Sequence, residues 1–249
     1  MPHGVLTSLR RAGSRALDAL HRHPVLWAAL LAALAMAAVL LLLTARFETN
    51  DDMSLRSTVD GTLTGRPDMS LIISNVIVGF VLRGLYRAAG GFPWYGTYLC
   101  VLHYVALAAL TYVVLSGRRE RLAGRLLLLG AVVSAFSVTM WLELQFTSTA
   151  LLLGVTGVVL FRAVLNRDRP AWTAVVLAGV MAGLASWVRW EGTPVAALVA
   201  LPTLLPALRR ANWRRCAAFA AITAAVAVTG GAAQAAHYSG RADWQAFSA

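Results

Sequence analysis

The chain alternates long apolar runs with short arginine-rich breaks, and the runs show none of the period-two alternation of half-buried strands. Seven runs have the length of bilayer-crossing helices or nearly so: 25–43, 94–115, 126–142, 146–161, 172–188, 193–208 and 216–236. An eighth, 71–89, is long enough to cross but contains Asn75, Arg83 and Arg87. With Gly79, these positions recur every four residues and form one drifting polar stripe on an otherwise apolar helix. That pattern predicts an amphipathic helix lying in the membrane interface, its arginines among the headgroups. Moving one arginine to mid-bilayer would cost about 3 kcal/mol on insertion scales.

Charge placement decides between crossing and lying flat. The first run follows Arg10, Arg11, Arg15 and Arg22, exceeds a signal-peptide core in length and lacks a clean A-x-A site after it. It reads as an uncleaved anchor. If 71–89 stays outside, every dense basic cluster faces the cytoplasm: four arginines in the N-terminus, four at 118–125, three at 162–169 and four at 209–215. That is 15 of the 22. If 71–89 crossed, the later clusters would invert, against the positive-inside rule. The expectation is an all-α polytopic membrane protein of the cell inner membrane, a single transmembrane domain over 1–249 with about seven spans. Residues 1–23 are cytoplasmic, 46–93 form the first extracytoplasmic loop, and the C-terminus lies outside.

Composition agrees and removes other classes. The chain is 59% hydrophobic and only 13% charged, too little polar material to coat a soluble domain of 249 residues. Its net charge of +11 invites nucleic acid, but the arginines sit between apolar runs and form no basic face, so no nucleic-acid partner is expected. Cys100 and Cys216 lie inside apolar runs and read as small buried residues. His21, His23, His103 and His237 have no metal-ligand spacing, and His103 reads as a hydrogen-bonded helix-packing residue. No nucleophile elbow, phosphate loop or dinucleotide fingerprint occurs.

The same topology places eight of the 11 acidic residues on the outer side: Glu48, Asp51, Asp52, Asp60, Asp68, Glu143, Glu191 and Asp243. Acids scarcely influence insertion, so this excess admits a functional reading beside the plain one of balancing the outer arginines. Asp51 and Asp52 stand just beyond the first span. Adjacent carboxylates repel unless a cation or a proton intervenes. Such a pair can serve as general base toward a hydroxyl or bind a divalent cation, and equally it can be a hydrophilic stop that ends a helix or begins a turn.

The succession Asn50-Asp51-Asp52-Met53, Asp60-Gly61-Thr62-Leu63-Thr64-Gly65-Arg66-Pro67, Ser74-Asn75-Val76-Ile77-Val78-Gly79 and Leu85-Tyr86 resembles the start of bacterial membrane proteins related to the GT-C glycosyltransferases. The resemblance covers about residues 20–115 closely and the later spans in general character. It implies one or two membrane-lying helices in the first outer loop, and Asp51 or Asp52 as catalytic base or as a ligand to a divalent cation. The donor implied is a sugar on a polyprenyl phosphate. GT-C enzymes usually have more than seven spans, so the resemblance implies an N-terminal portion of such an enzyme or a minimal relative.

Five residues are candidates for substrate binding. Arg189, between Trp187 and Trp190 and followed by Glu191, suits a phosphate headgroup, or snorkels from an aromatic belt with Glu191 as partner. Glu143, at the end of the third span, is placed to line a cavity. Arg83 and Arg87 are placed either to bind a lipid phosphate from the interfacial helix or to snorkel among the headgroups. Two other function classes remain open: a transporter or flippase-like module, and a non-catalytic membrane fragment.

Overall fold

Backbone donors and acceptors in lipid must be satisfied within their own segment, so long apolar runs fold as helices. The computed structural model describes residues 18–20, 22–47, 50–117, 121–134, 138–165, 171–208 and 212–241. Its elements are α1 (Pro24–Leu42), β1 (Arg46–Phe47), α2 (Asn50–Asp60), α3 (Val76–Ala88), α4 (Trp94–Leu115), α5 (Leu122–Val132), α6 (Val138–Leu142), β2 (Glu143–Leu144), α7 (Phe146–Leu165), α8 (Trp172–Val188), α9 (Gly192–Leu208) and α10 (Trp213–Tyr238). The fold is all-α apart from the two-residue parallel pairing of β1 with β2. Four helices, α1, α4, α7 and α10, are long and apolar enough to cross a membrane. α5, α8 and α9 are apolar but shorter, at 11, 17 and 17 residues.

α8 is the central helix, packed chiefly on α7 and α10, while α1 lies on α4. Close approach depends on small residues. A Cβ at Gly157 of α7 would come within 2.7 Å of the Ala178 carbonyl oxygen. Gly179 and Gly183, one turn apart on α8, receive Ile222 and Val226 of α10. This small-xxx-small arrangement is how helices associate where lipid and side chains are equally apolar. Outward-facing Leu34, Leu41, Leu42, Leu127, Leu198 and Val228 are each more than half exposed, as suits a chain whose solvent is hydrocarbon.

The segment between α1 and α4 begins with α2 and reverses at Gly61 and Gly65, which have φ of +88° and +76°. At Gly61 any Cβ would also meet the Arg66 carbonyl carbon at 2.6 Å. The reversal is closed by Asp60 Oδ1 accepting from Thr62 N at 2.8 Å and by Asp68 N donating to the Thr58 carbonyl.

Within the run 126–142, α5 reaches Val132, residues 133–134 take a wider π-helical turn, and α6 spans Val138–Leu142. Residues 135–137 lie outside the described residues. One expectation changes in detail.

The run 71–89 becomes helical only at Val76, where Asn75 Oδ1 caps Ile77 N at 3.0 Å. Its stripe divides. Asn75 and Gly79 are buried: Asn75 N donates to the Trp187 carbonyl at 2.8 Å, and Gly79 lies against the backbone of Met69. Arg83 is half-buried and Arg87 exposed, while Phe80 and Val81 face outward. Half of the apparent polar stripe is therefore a packing face, chosen for size and capping and not for solvation.

Candidate functional site

The site is built where the ends of several helices meet. After α1, residues 46–47 pair with residues 143–144 after α6, with Arg46 opposite Glu143 and Phe47 opposite Leu144. Arg46 Nη2 reaches Glu143 Oε1 at 2.7 Å across the pairing. Both side chains are substantially exposed, so this ion pair orients the two strands more than it stabilises them.

Asp51 and Asp52 open α2, where carboxylates interact favourably with the helix dipole. Their side chains separate. Asp51 is exposed, and Asp52 is fully buried at 0% exposure. Asp52 Oδ1 accepts from the Tyr95 hydroxyl at 2.8 Å and from Phe146 N at 3.1 Å. One carboxylate oxygen thus ties α2 to the first turn of α4 and the first residue of α7. Phe47 packs on Tyr95 with ring centroids 5.6 Å apart. Tyr95 N donates to the Tyr86 hydroxyl oxygen at 3.1 Å, and burial pushes the Tyr86 phenol above its usual value. Beneath lies an apolar core that includes Leu55, Val59, Leu82, Leu99, Leu144 and Val188.

Phe146 connects this node to Arg189. The Arg189 guanidinium lies 5.5 Å above the Phe146 ring, bonds Thr147 Oγ1 and meets Glu191 at 3.1 Å. Stacking on an aromatic face suits the planar guanidinium. Trp187 and Trp190 do not sandwich it. Trp187 turns inward and donates to the Val226 carbonyl at 2.8 Å, while Trp190 is 71% exposed. A cavity of about 260 Å³ opens beside Arg189, lined by Thr147, Ala150, Leu151, Glu191, Gly192 and Val195.

Of the sequence candidates, Asp52, Glu143, Arg189 and Glu191 thus lie within a few residues of Phe146, and Asp51 is exposed at the start of α2. Arg83 and Arg87 belong elsewhere. Arg83 lies over the Phe80 ring and close enough to His237 for their charges to interact, and Arg87 ends α3. Glu48 and Asp243 lie outside the described residues. Among the described residues no group of three or more His, Cys, Asp or Glu could hold a metal ion.

Tyr95 and Phe146 were not legible as site residues. Tyr95 follows Trp94 in an ordinary aromatic belt, and Phe146 acts through its backbone amide, which no side-chain pattern reveals. A second polar cluster was also missed. Ser70 Oγ lies 3.1 Å from His237 Nε2 and accepts from Arg241 Nη1 at 2.8 Å. Tyr238 donates to the Leu71 carbonyl at 3.2 Å, and Val76 N donates to Gln234 Oε1 at 2.8 Å. These bonds fasten the segment between α1 and α4 to the last turns of α10 and the residues just after it.

Neither the known protein families, nor curated proteins, nor solved structures contain a match to this chain.

Proposed function

We propose that the chain is a GT-C-like integral membrane glycosyltransferase, moving a sugar from a polyprenyl-phosphate donor to an acceptor hydroxyl on the extracytoplasmic side of the inner membrane. The observation that carries this reading is that Asp52 and Arg189 meet Phe146, at its amide and its ring. Glu191 is bonded to Arg189, Glu143 (three residues before Phe146) is paired with Arg46, and Asp51 is exposed at the same helix start as Asp52. Asp51 is the base in this reading, because it is exposed to an incoming hydroxyl and Asp52 is engaged in holding the helices. The carboxylate takes the acceptor proton as the acceptor oxygen bonds to the anomeric carbon. The bond from that carbon to the phosphate oxygen breaks, and the polyprenyl phosphate leaves with the negative charge. Arg189, beside its cavity, neutralises that charge, a role worth several kcal/mol in preorganised sites.

The topology supports the same reading. Tyr95 at the start of α4 bonds Asp52, a short distance after α1, so both lie at one end of the bundle. A crossing by α3 would place them at opposite ends. α3 has 13 residues, about 20 Å of helix against a hydrocarbon core of about 30 Å. We take α3 as an interfacial helix, and α1, α4, the α5–α6 pair, α7, α8, α9 and α10 as seven spans. An apolar crevice of about 370 Å³ runs between α3, α4 and α8, past Val81, Leu85, Tyr98, Val101 and Leu184, and suits an isoprenoid chain entering from lipid.

The test is donor consumption by the full chain in liposomes containing a panel of hexosyl polyprenyl phosphates. Wild type is expected to consume at least one donor. Arg189→Ala is expected to slow consumption by roughly a hundredfold, the order seen when one preorganised donor is removed. Consumption of no donor by folded wild-type protein would reject the reading.

A further inference from the structure

Beneath the outer node a series of hydrogen bonds runs head to tail into Asp52. His103 lies on α4 two turns below Tyr95 and is fully buried. Its Nε2 stands 2.8 Å from Thr149 Oγ1 on α7. The Thr149 hydroxyl proton is already given to the Gln145 carbonyl at 2.7 Å. A hydroxyl has one proton, so Thr149 accepts from His103, and His103 carries its proton on Nε2. The Gln145 carbonyl is one end of a peptide unit whose other end is Phe146 N–H, the donor to Asp52 Oδ1. Every donor in the series points the same way: His103 to Thr149, Thr149 to Gln145, Phe146 to Asp52.

Packing alone does not account for the histidine. With Nε2 protonated, Nδ1 is an acceptor, and it has no hydrogen-bond partner among the described residues. A buried orphan acceptor is a net cost that leucine at this position would avoid. What histidine supplies and leucine lacks is a rigid donor at the inner end of the series. Aligned hydrogen bonds in a low-dielectric interior polarise and reinforce one another.

We propose that His103 is a positioning residue for the outer site. Through Thr149 and the Gln145–Phe146 peptide it fixes the direction from which Asp52 is held, and so fixes the start of α2 that carries Asp51. It touches no substrate. The proposal rests on the assignment of Asp51 as base only for its effect on activity; the hydrogen-bond series stands apart from that assignment.

The experiment uses the full chain, with histidines labelled with nitrogen-15, in lipid nanodiscs. His103 is identified among the five histidines by its loss in His103→Gln. The expected spectrum shows His103 protonated on Nε2 and bare on Nδ1. Thr149→Val, which keeps the β-branched shape and removes the hydroxyl, should shift the Nε2 signal. Asp52→Asn should shift it as well, although Asp52 does not touch the ring. Protonation on Nδ1 in its place, or a signal indifferent to Asp52→Asn, overturns the proposal whatever the transfer assay gives.

In the transfer assay, His103→Leu and Thr149→Val are expected to lower kcat roughly threefold to thirtyfold with KM unchanged, the scale of coupling through such networks. His103→Gln, which restores an amide donor, should recover most of the loss. Unchanged kcat in both variants would remove the positioning role even if the spectra agree. Intact spectral coupling in protein that consumes no donor would leave the series in place and reject the glycosyltransferase assignment, whereas a fully active Asp51→Asn would reject Asp51 as the base.

Discussion

At the scale of single residues, adjacent carboxylates divide into two environments. Asp52 is buried with two donors on one oxygen, and Asp51 is exposed one residue earlier. The sequence marked the pair but not the division, because the partners are a tyrosine 43 residues away and a backbone amide 94 residues away. Asp52→Ala leaves two buried donors unmet and is expected to destabilise by on the order of 2–6 kcal/mol, from about 1–3 kcal/mol per orphaned group. Asp52→Asn keeps an acceptor oxygen and should cost less than half as much. Reversible unfolding in a single detergent measures both.

Asp68 gives a pH dependence at the same scale. Burial raises its carboxyl, but donors from Ser70 and Met69 and the charge of Arg241 outweigh it and hold the group below its usual 3.8. A folded value below the unfolded one stabilises above the unfolded value and is lost as pH falls through the folded one. The Ser70 amide, bonded to Asp68 Oδ1 at 2.8 Å, should therefore stay protected at neutral pH and lose protection only in acid below about pH 4. Hydrogen exchange at that amide reads the effect, and Asp68→Asn should flatten it.

At the scale of elements, apolar length located the helices well, because in lipid the run is the helix. It placed the end of α1, the whole of α4 and the whole of α8 within a residue or so. It failed where local geometry overrides hydropathy, at Asn75, where a cap moves the start of α3 to Val76. Helix pairing was legible in principle from Gly179 and Gly183, whose four-residue spacing marks a contact face. Gly183→Leu would drive a side chain into Val226, whose Cβ stands 2.6 Å from the position of an added Cβ. Separation of α8 from α10 is expected, with a loss of about 1–3 kcal/mol typical of overpacking. Gly231→Leu, with nothing within 4 Å, should leave stability unchanged. Thermal unfolding of the pair in one detergent distinguishes them.

At the scale of the whole molecule, charge bias and packing point to the same arrangement. Loop arginines favour 71–89 outside, and the Asp52–Tyr95 bond brings the residues after α1 back to the start of α4. With the two native cysteines replaced, a cysteine at the exposed Leu63 should react with an impermeant thiol reagent in intact cells. One at the exposed Trp213 should react only after permeabilisation. The convergence itself was only half legible. Asp51, Asp52, Glu143, Arg189 and Glu191 were each visible as polar residues near span ends, whereas Phe146, which joins Asp52 to Arg189, was not. The central claim is that this convergence is a transfer site with Asp51 as its base. The most direct measurement is sugar transfer from a polyprenyl-phosphate donor by Asp51→Asn, in protein whose unfolding matches wild type. A fall of about a hundredfold or more, as expected for loss of a general base, agrees with the account; transfer at the wild-type rate contradicts it.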